Sequence, residues 1–161
     1  MNTAYRVWDG EQMHYWDDKG ISLEIKGIEW VLWRDDGDGG RVKIAESHEE
    51  DTALMWGAGV KDKNRKEIYV ADIAGGERYN YRWFNVLIKF GEYEQDASGG
   101  EYSGSECIGF YAEAIDPEER DEFGCRVIQE YERQESLLEF TGVEVIGNAY
   151  QNPEMLGGAA E

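Results

Sequence analysis

Cysteine, proline and histidine are scarce in this chain of 161 residues, with two of each. Cys107 and Cys125 have neither a Cys-x-x-Cys companion nor a histidine at ligand spacing. That excludes a zinc ribbon or finger and a disulfide framework, and leaves two thiols suited to a reducing compartment. His14 and His48 stand far apart, and no serine or cysteine nucleophile forms a recognisable arrangement with either. Long hydrophobic runs are missing too: the N-terminus has no apolar signal region, and no window approaches the ~18 apolar residues of a spanning helix. Positive charge is short, with 16 basic residues against 35 acidic ones, a net charge of −19 and a pI near 4.4. Roughly 2 to 8 charges suffice for the solubility of a small domain. A surface this acidic repels phosphates, so direct binding to nucleic acid or to an anionic membrane is not expected without a concentrated basic patch. The densest basic stretch, Lys61, Lys63, Arg65 and Lys66, is interrupted by Asp62 and followed by Glu67, which suits a solvated turn. Solubility or adaptation to high salt is the simplest reading of the acidity.

Aromatics and glycine are plentiful. With 41% hydrophobic residues, six Trp, ten Tyr and twenty Gly, the chain has the apolar area to fold. The mixture suits short aromatic strands joined by tight turns. Runs at 5–8, 13–16 and 21–25, separated by Asp9-Gly10 and by Asp17-Asp18-Lys19-Gly20, predict a β-meander. A central strand is expected at 28–33, with 41–45 returning as its hairpin partner after an Asp/Gly loop. The strongest strand signal is 79–90, where Phe84, Val86, Ile88 and Phe90 alternate on one face while Tyr81, Trp83 and Leu87 lie on the other. Both faces being partly apolar, that strand belongs in a barrel or against a second subunit. Asp116-Pro117-Glu118-Glu119 carries the cap, proline and acidic first turn of a helix start. Beyond it, the chain reads either as one long helix to 140 or as a short helix ended by Gly124 and followed by a strand at 126–131; the second is preferred.

Few constellations carry chemistry. Asp36, Asp38 and Glu46 invite a calcium-loop reading, but Ser47 falls where a bidentate glutamate is needed. Gly57-Ala58-Gly59 lacks the Gly-Lys-Ser ending of a phosphate loop. Trp30, Trp33, Trp56 and Trp83 suit either a core or binding anchors. Two acidic clusters stand out as candidate partner-binding sites: Glu46, Glu49, Glu50 and Asp51, with His48 among them, and Glu118, Glu119, Asp121 and Glu122. Each reads as a solvated acidic stretch unless a basic partner meets it. No catalytic residue, metal ligand or cofactor is assigned.

Three segments, in order, carry a family resemblance. They are Tyr5-Arg6-Val7-Trp8-Asp9 with Met13-His14-Tyr15, then Leu54-Met55 and the run from Gly59 to Ile73, and finally the run from Val143 to Leu156. Together they resemble the YopX-like family of bacteriophage and prophage proteins. The chain departs from the family pattern at Arg65, where the pattern has glycine, and at Val70-Ala71, where it has Glu-Gly. Arginine is poorly suited to a turn needing a positive φ at position 65. The resemblance implies a mainly β (α+β) protein: a strand-rich subdomain over 1–68 packed with an SH3-like barrel over 69–156. Short helices are expected near 117–123 and 152–156, and a frayed tail at 157–161. It also implies a tendency to form homo-oligomers and no established activity; the lack of an apolar signal region or span points to the host cytoplasm. The leading expectation is therefore a non-catalytic phage accessory protein acting by protein binding and self-assembly. A second is an inhibitor presenting carboxylates as a phosphate mimic to a basic host protein such as a nuclease or defence complex. A hydrolase built from scattered carboxylates is a distant third.

Overall fold

A computed structural model describes residues 2–77, 83–96, 98–139 and 141–157. The chain divides into two compact units, Met1–Gly59 and Val60–Glu161.

In the first unit, β1 (Tyr5–Trp8) pairs antiparallel with β2 (Met13–Tyr15) and with β6 (Ala53–Lys61). A separate antiparallel sheet joins β3 (Ile21–Lys26), β4 (Glu29–Asp35) and β5 (Arg41–Glu46). The expected single meander thus splits after β2. β4 is central in its sheet, as its two-sided apolar sequence predicts, and β5 is its hairpin partner. Val7, Leu32 and Ala45 are fully buried, with Tyr5, Ile21, Leu23, Trp30, Ile44 and Leu54 packed around them. The Asp36 carboxylate closes the β4–β5 loop by accepting the amides of Asp38 and Gly40.

The second unit begins in the last residues of β6. Asp62, nearly buried, accepts the amides of Asn64 and Lys66 on one carboxylate oxygen and that of Val145 on the other. Lys63 N–H donates to the Val143 carbonyl. These bonds tie the 62–66 turn to the last strand within the second unit. β7 (Glu67–Tyr69) follows β6 in its sheet. A five-stranded antiparallel sheet then contains β8 (Asp72–Glu77), β9 (Trp83–Gln95), β10 (Ser105–Ala114), β11 (Gln134–Ser136) and β12 (Thr141–Asn148), in the order β11-β10-β9-β8-β12. It occupies the region assigned to the barrel, and its core includes Ile73, Val86, Ile88, Ala112, Ile128 and Val143. The protein is mainly β.

Local details differ from expectation. No helix forms over 117–123. The Asp116 side chain accepts the Glu118 amide, and that of Asp121 accepts the amides of Phe123 and Cys125. Aspartates that bond nearby amides in this way compete with the helix, and two turns joined by an Arg120–Arg126 bridge result. The strand expected at 126–131 is replaced by β11, flanked by 3-10 turns at Glu130–Glu132 and Leu137–Glu139. The expected C-terminal helical turn is a 3-10 turn, Pro153–Leu156, ending at Gly157 with φ 63°. Of the long strand expected at 79–90, the part from Trp83 belongs to β9, and residues 78–82 lie outside the described residues, as do 158–161 of the tail. Among the described residues no helix is long and apolar enough to cross a membrane.

Candidate functional site

The hairpin of β9 and β10 organises the second unit. Its register sets Phe90 opposite Phe110, Gly91 opposite Gly109, Glu92 opposite Ile108 and Glu94 opposite Glu106. Seven residues of straight strand separate Glu106 from Glu113, a span of about 23 Å. Yet the Glu94 amide donates to the side chain of Gln134, which itself pairs with Glu113. The hairpin therefore curls over one of its faces. Gly91, at φ 153°, supplies a backbone shape that side chains rarely adopt, and Tyr93 stacks on Tyr111 at 5.0 Å across the bend.

Inside the curl lies an open cavity of about 720 Å³, lined in part by Glu94, Asp96, Glu113, Tyr102, Tyr131 and Arg133. Most of its charge is committed. Burial raises the Glu113 carboxyl, but hydrogen bonds from Lys89 (2.6 Å) and Gln134 (2.8 Å) outweigh it and hold the group below its ordinary range. Asp96 is lowered by the Ser98 hydroxyl and by the amides of Ser98 and Gly100. Arg133 pairs with Glu118 at 2.7 Å.

The outer face of the same hairpin is different. Phe90 is 60% exposed and Ile108 76%, and the Phe90 and Phe110 rings meet edge to face at 4.9 Å. Alternation places Glu92 and Glu106 on this face beside the aromatic ridge, together with Glu94, which also borders the cavity at the rim. The ridge continues the row Phe84, Val86, Ile88, of which all three are buried. Sequence reading recognised that row but missed its exposed end; the alternation running on from Phe90 into Glu92 and Glu94 was the available signal.

The acidic residues singled out in the sequence are distributed over both units. In the first, Lys43 reaches both Glu46 (2.9 Å) and Glu49 (3.0 Å), and its hydrogen bond holds the Glu49 carboxyl below the ordinary range. Glu50 and Asp51 are exposed, Asp51 at a positive φ of 62° in the turn. In the second, Glu118 is clamped by Arg126 and Arg133, Asp121 caps its own turn, and Glu119 and Glu122 are exposed. His48 pairs with Glu29 at 3.1 Å on the surface. His14, nearly buried, donates from Nε2 to Asp9 (2.6 Å) and accepts Arg34 Nη2 on Nδ1 (3.2 Å). Both ring nitrogens are thereby occupied, so the imidazole is held as a structural link in the first unit. Among the tryptophans, Trp30 packs on the core, Arg41 lies 4.0 Å over Trp33, and Trp56, 39% exposed, meets Tyr5 edge-on. The side chain of Trp83 lies outside the described residues. Cys107 and Cys125 are free thiols. Among the described residues no three His, Cys, Asp or Glu side chains are grouped to hold a metal ion.

Comparison with known proteins follows the whole chain. The chain is 34% identical over 160 residues to the SPbeta prophage-derived uncharacterized protein YopX of Bacillus subtilis (strain 168), covering 98% of each. The X-ray crystal structure of protein yopX from Bacillus subtilis matches with a TM-score of 0.64 at 33% identity, over 96% of this chain and 98% of that one. Protein EF1440 from Enterococcus faecalis aligns at 20% identity with a TM-score of 0.44, over 95% and 96% of the two chains. The family described as YopX protein matches residues 4–157, nearly the whole length over which the three segments of resemblance lie, and the chain belongs to the YopX family.

Proposed function

We propose that this phage protein is a non-catalytic accessory protein that acts by binding another protein through the outer face of the β9–β10 hairpin. The observation that carries the reading is the exposure of Phe90 and Ile108 on a continuously paired sheet face. Large apolar side chains clustered in this way mark contact surfaces more often than isolated ones do. The use of the titratable groups supports a non-catalytic role: His14, Asp62 and Glu113 are each engaged by partners that hold the fold. The test compares wild type with the Phe90→Ser/Ile108→Ser double variant as bait in a host lysate. A partner retained by wild type and lost by a variant with an unchanged melting curve supports the reading. A partner held equally by both sinks it.

Self-assembly is the second form such a contact can take. Pairing of β9 with β8 ends at Leu87; beyond it Ala71 bonds the Ile88 carbonyl and the Gln134 side chain accepts the Glu94 amide, and no further strand is laddered onto that edge among the described residues. Open edges of this kind accept a further strand. Light scattering coupled to size exclusion should then show a species larger than the 18.4 kDa chain; a monomer at all concentrations removes this reading. Phosphate mimicry has less support, because Glu46, Glu49 and Glu118 already have cations of their own.

A further inference from the structure

On the reading that the hairpin's outer face is a contact surface, we infer that its occupant is a protein segment combining apolar and basic side chains, with the apolar ones on Phe90, Ile108 and Phe110 and the cations over Glu92, Glu94 and Glu106. The argument is charge complementarity. Glu94 and Glu106 stand directly opposite each other across the two strands, and Glu92 is the next residue of the same face on β9. Like charges so placed repel. All three carboxylates are exposed, and no ion pair among the described residues involves them. Lys89, the lysine of this hairpin, points to the other face and is committed to Glu113. Among the described residues the repulsion therefore stands unrelieved beside an unburied aromatic ridge, and a net charge of −19 adds to it.

A basic and apolar segment relieves both at once, and long-range attraction would speed its arrival. A second copy relieves only one. It would set three glutamates against the same three glutamates while covering the ridge. A nucleic acid relieves neither.

Synthetic peptides test this directly. The probe is an extended peptide of alternating leucine and lysine, with matched peptides carrying glutamate for lysine or serine for leucine, titrated by fluorescence anisotropy. The proteins are wild type, Phe90→Ser/Ile108→Ser, Glu92→Gln/Glu94→Gln/Glu106→Gln, and a control with the same charge change elsewhere, Glu50→Gln/Glu119→Gln/Glu122→Gln. The leucine–lysine peptide should bind wild type and the control alike. It should bind the hairpin glutamine variant about tenfold or more weakly, and lose affinity in ~0.5 M salt, where screening shortens to a few Å. Both substituted peptides should bind weakly. If the hairpin glutamine variant binds as wild type does while the serine variant fails, the ridge is a contact but its occupant is not basic. If the serine variant binds as wild type does, the ridge reading itself falls. Equal weakening by the hairpin and control glutamine sets would show attraction to net charge alone and overturn the site. A hairpin glutamine variant that dimerises, with no peptide bound by wild type, would assign the face to a second copy.

Discussion

Arg65 and Ala71 both hold a left-handed backbone, at φ 66° and 69°, at the two positions where the family pattern carries glycine. The backbone at each is fixed from outside. The 62–66 turn is held by the Asp62 carboxylate, and the amide and carbonyl of Ala71 bond to Ile88 and Ala149. This chain therefore keeps the turn and accepts the strain. A left-handed non-glycine residue costs about 1–2 kcal/mol, and glycine returns roughly half of that as chain entropy. Arg65→Gly and Ala71→Gly should each stabilise the protein by about 0.5–1 kcal/mol in urea titrations, additively, since separate sites rarely couple. A loss of stability in either would show that the side chain makes a contact outweighing the strain. Asp9 carries a pH dependence. Burial raises its carboxyl, yet the bond to His14 and the amides of Gln12 and Glu11 bring it below the ordinary value of 3.8. A lowered folded value contributes stability above the ordinary carboxylate range that is lost as pH falls through the folded one. The stability gap between wild type and Asp9→Asn should therefore be full near neutral pH and shrink below 3.8. A gap independent of pH down to acid unfolding would refute the linkage.

At the scale of elements, the bend of the β9–β10 hairpin decides which residues are offered to solvent. Gly91 and Gly109 face each other in the register, but only Gly91 has a φ that excludes side chains, and a Cβ at either would meet nothing within 4 Å. The two alanine variants therefore separate strain from crowding. Gly91→Ala should cost about 1–2 kcal/mol through the backbone alone, and loosening of the Tyr93–Tyr111 stack should alter the near-ultraviolet circular dichroism. Gly109→Ala should be nearly silent. Equal effects would mean that the bend does not depend on Gly91. The 116–126 segment teaches the complementary lesson. Its aspartates satisfy nearby amides with their own side chains, and Glu118 joins Arg126 to Arg133, so the acidic run is built into turns.

For the whole molecule, 35 acidic residues against 16 basic ones make self-repulsion a general destabilising force. Exposed ion pairs such as Lys43 with Glu46 contribute little against it. Sodium chloride should raise the melting temperature as the Debye length falls from about 10 Å at 0.1 M toward about 3 Å at 1 M. A flat or falling melting temperature over that range would mean that the repulsion is already relieved within the fold. The hairpin glutamine variant should melt slightly above wild type in low salt and converge with it in high salt.

Composition and alternation were enough to determine a mainly β protein. Turn chemistry at Asp9-Gly10, Asp36–Gly40 and 62–66 placed the early strands, because such signals act over a few residues and need no partner. The same locality explains the failures. Asp116-Pro117 is a sound helix start, but whether Asp121 bonds its own amides or lets a helix pass is settled by what the segment packs against. The split of the first strands into two sheets is likewise a matter of which edges meet, and edges far apart in sequence leave no local signature. Phe90 has the same alternating sequence as the buried Phe84, Val86 and Ile88, and only the tertiary curl at Gly91 leaves it exposed beside Glu92, Glu94 and Glu106. Sequence determined the strand and its apolar face; the candidate surface exists because a long hairpin bends away from its own core, and burial is a property of the assembled chain.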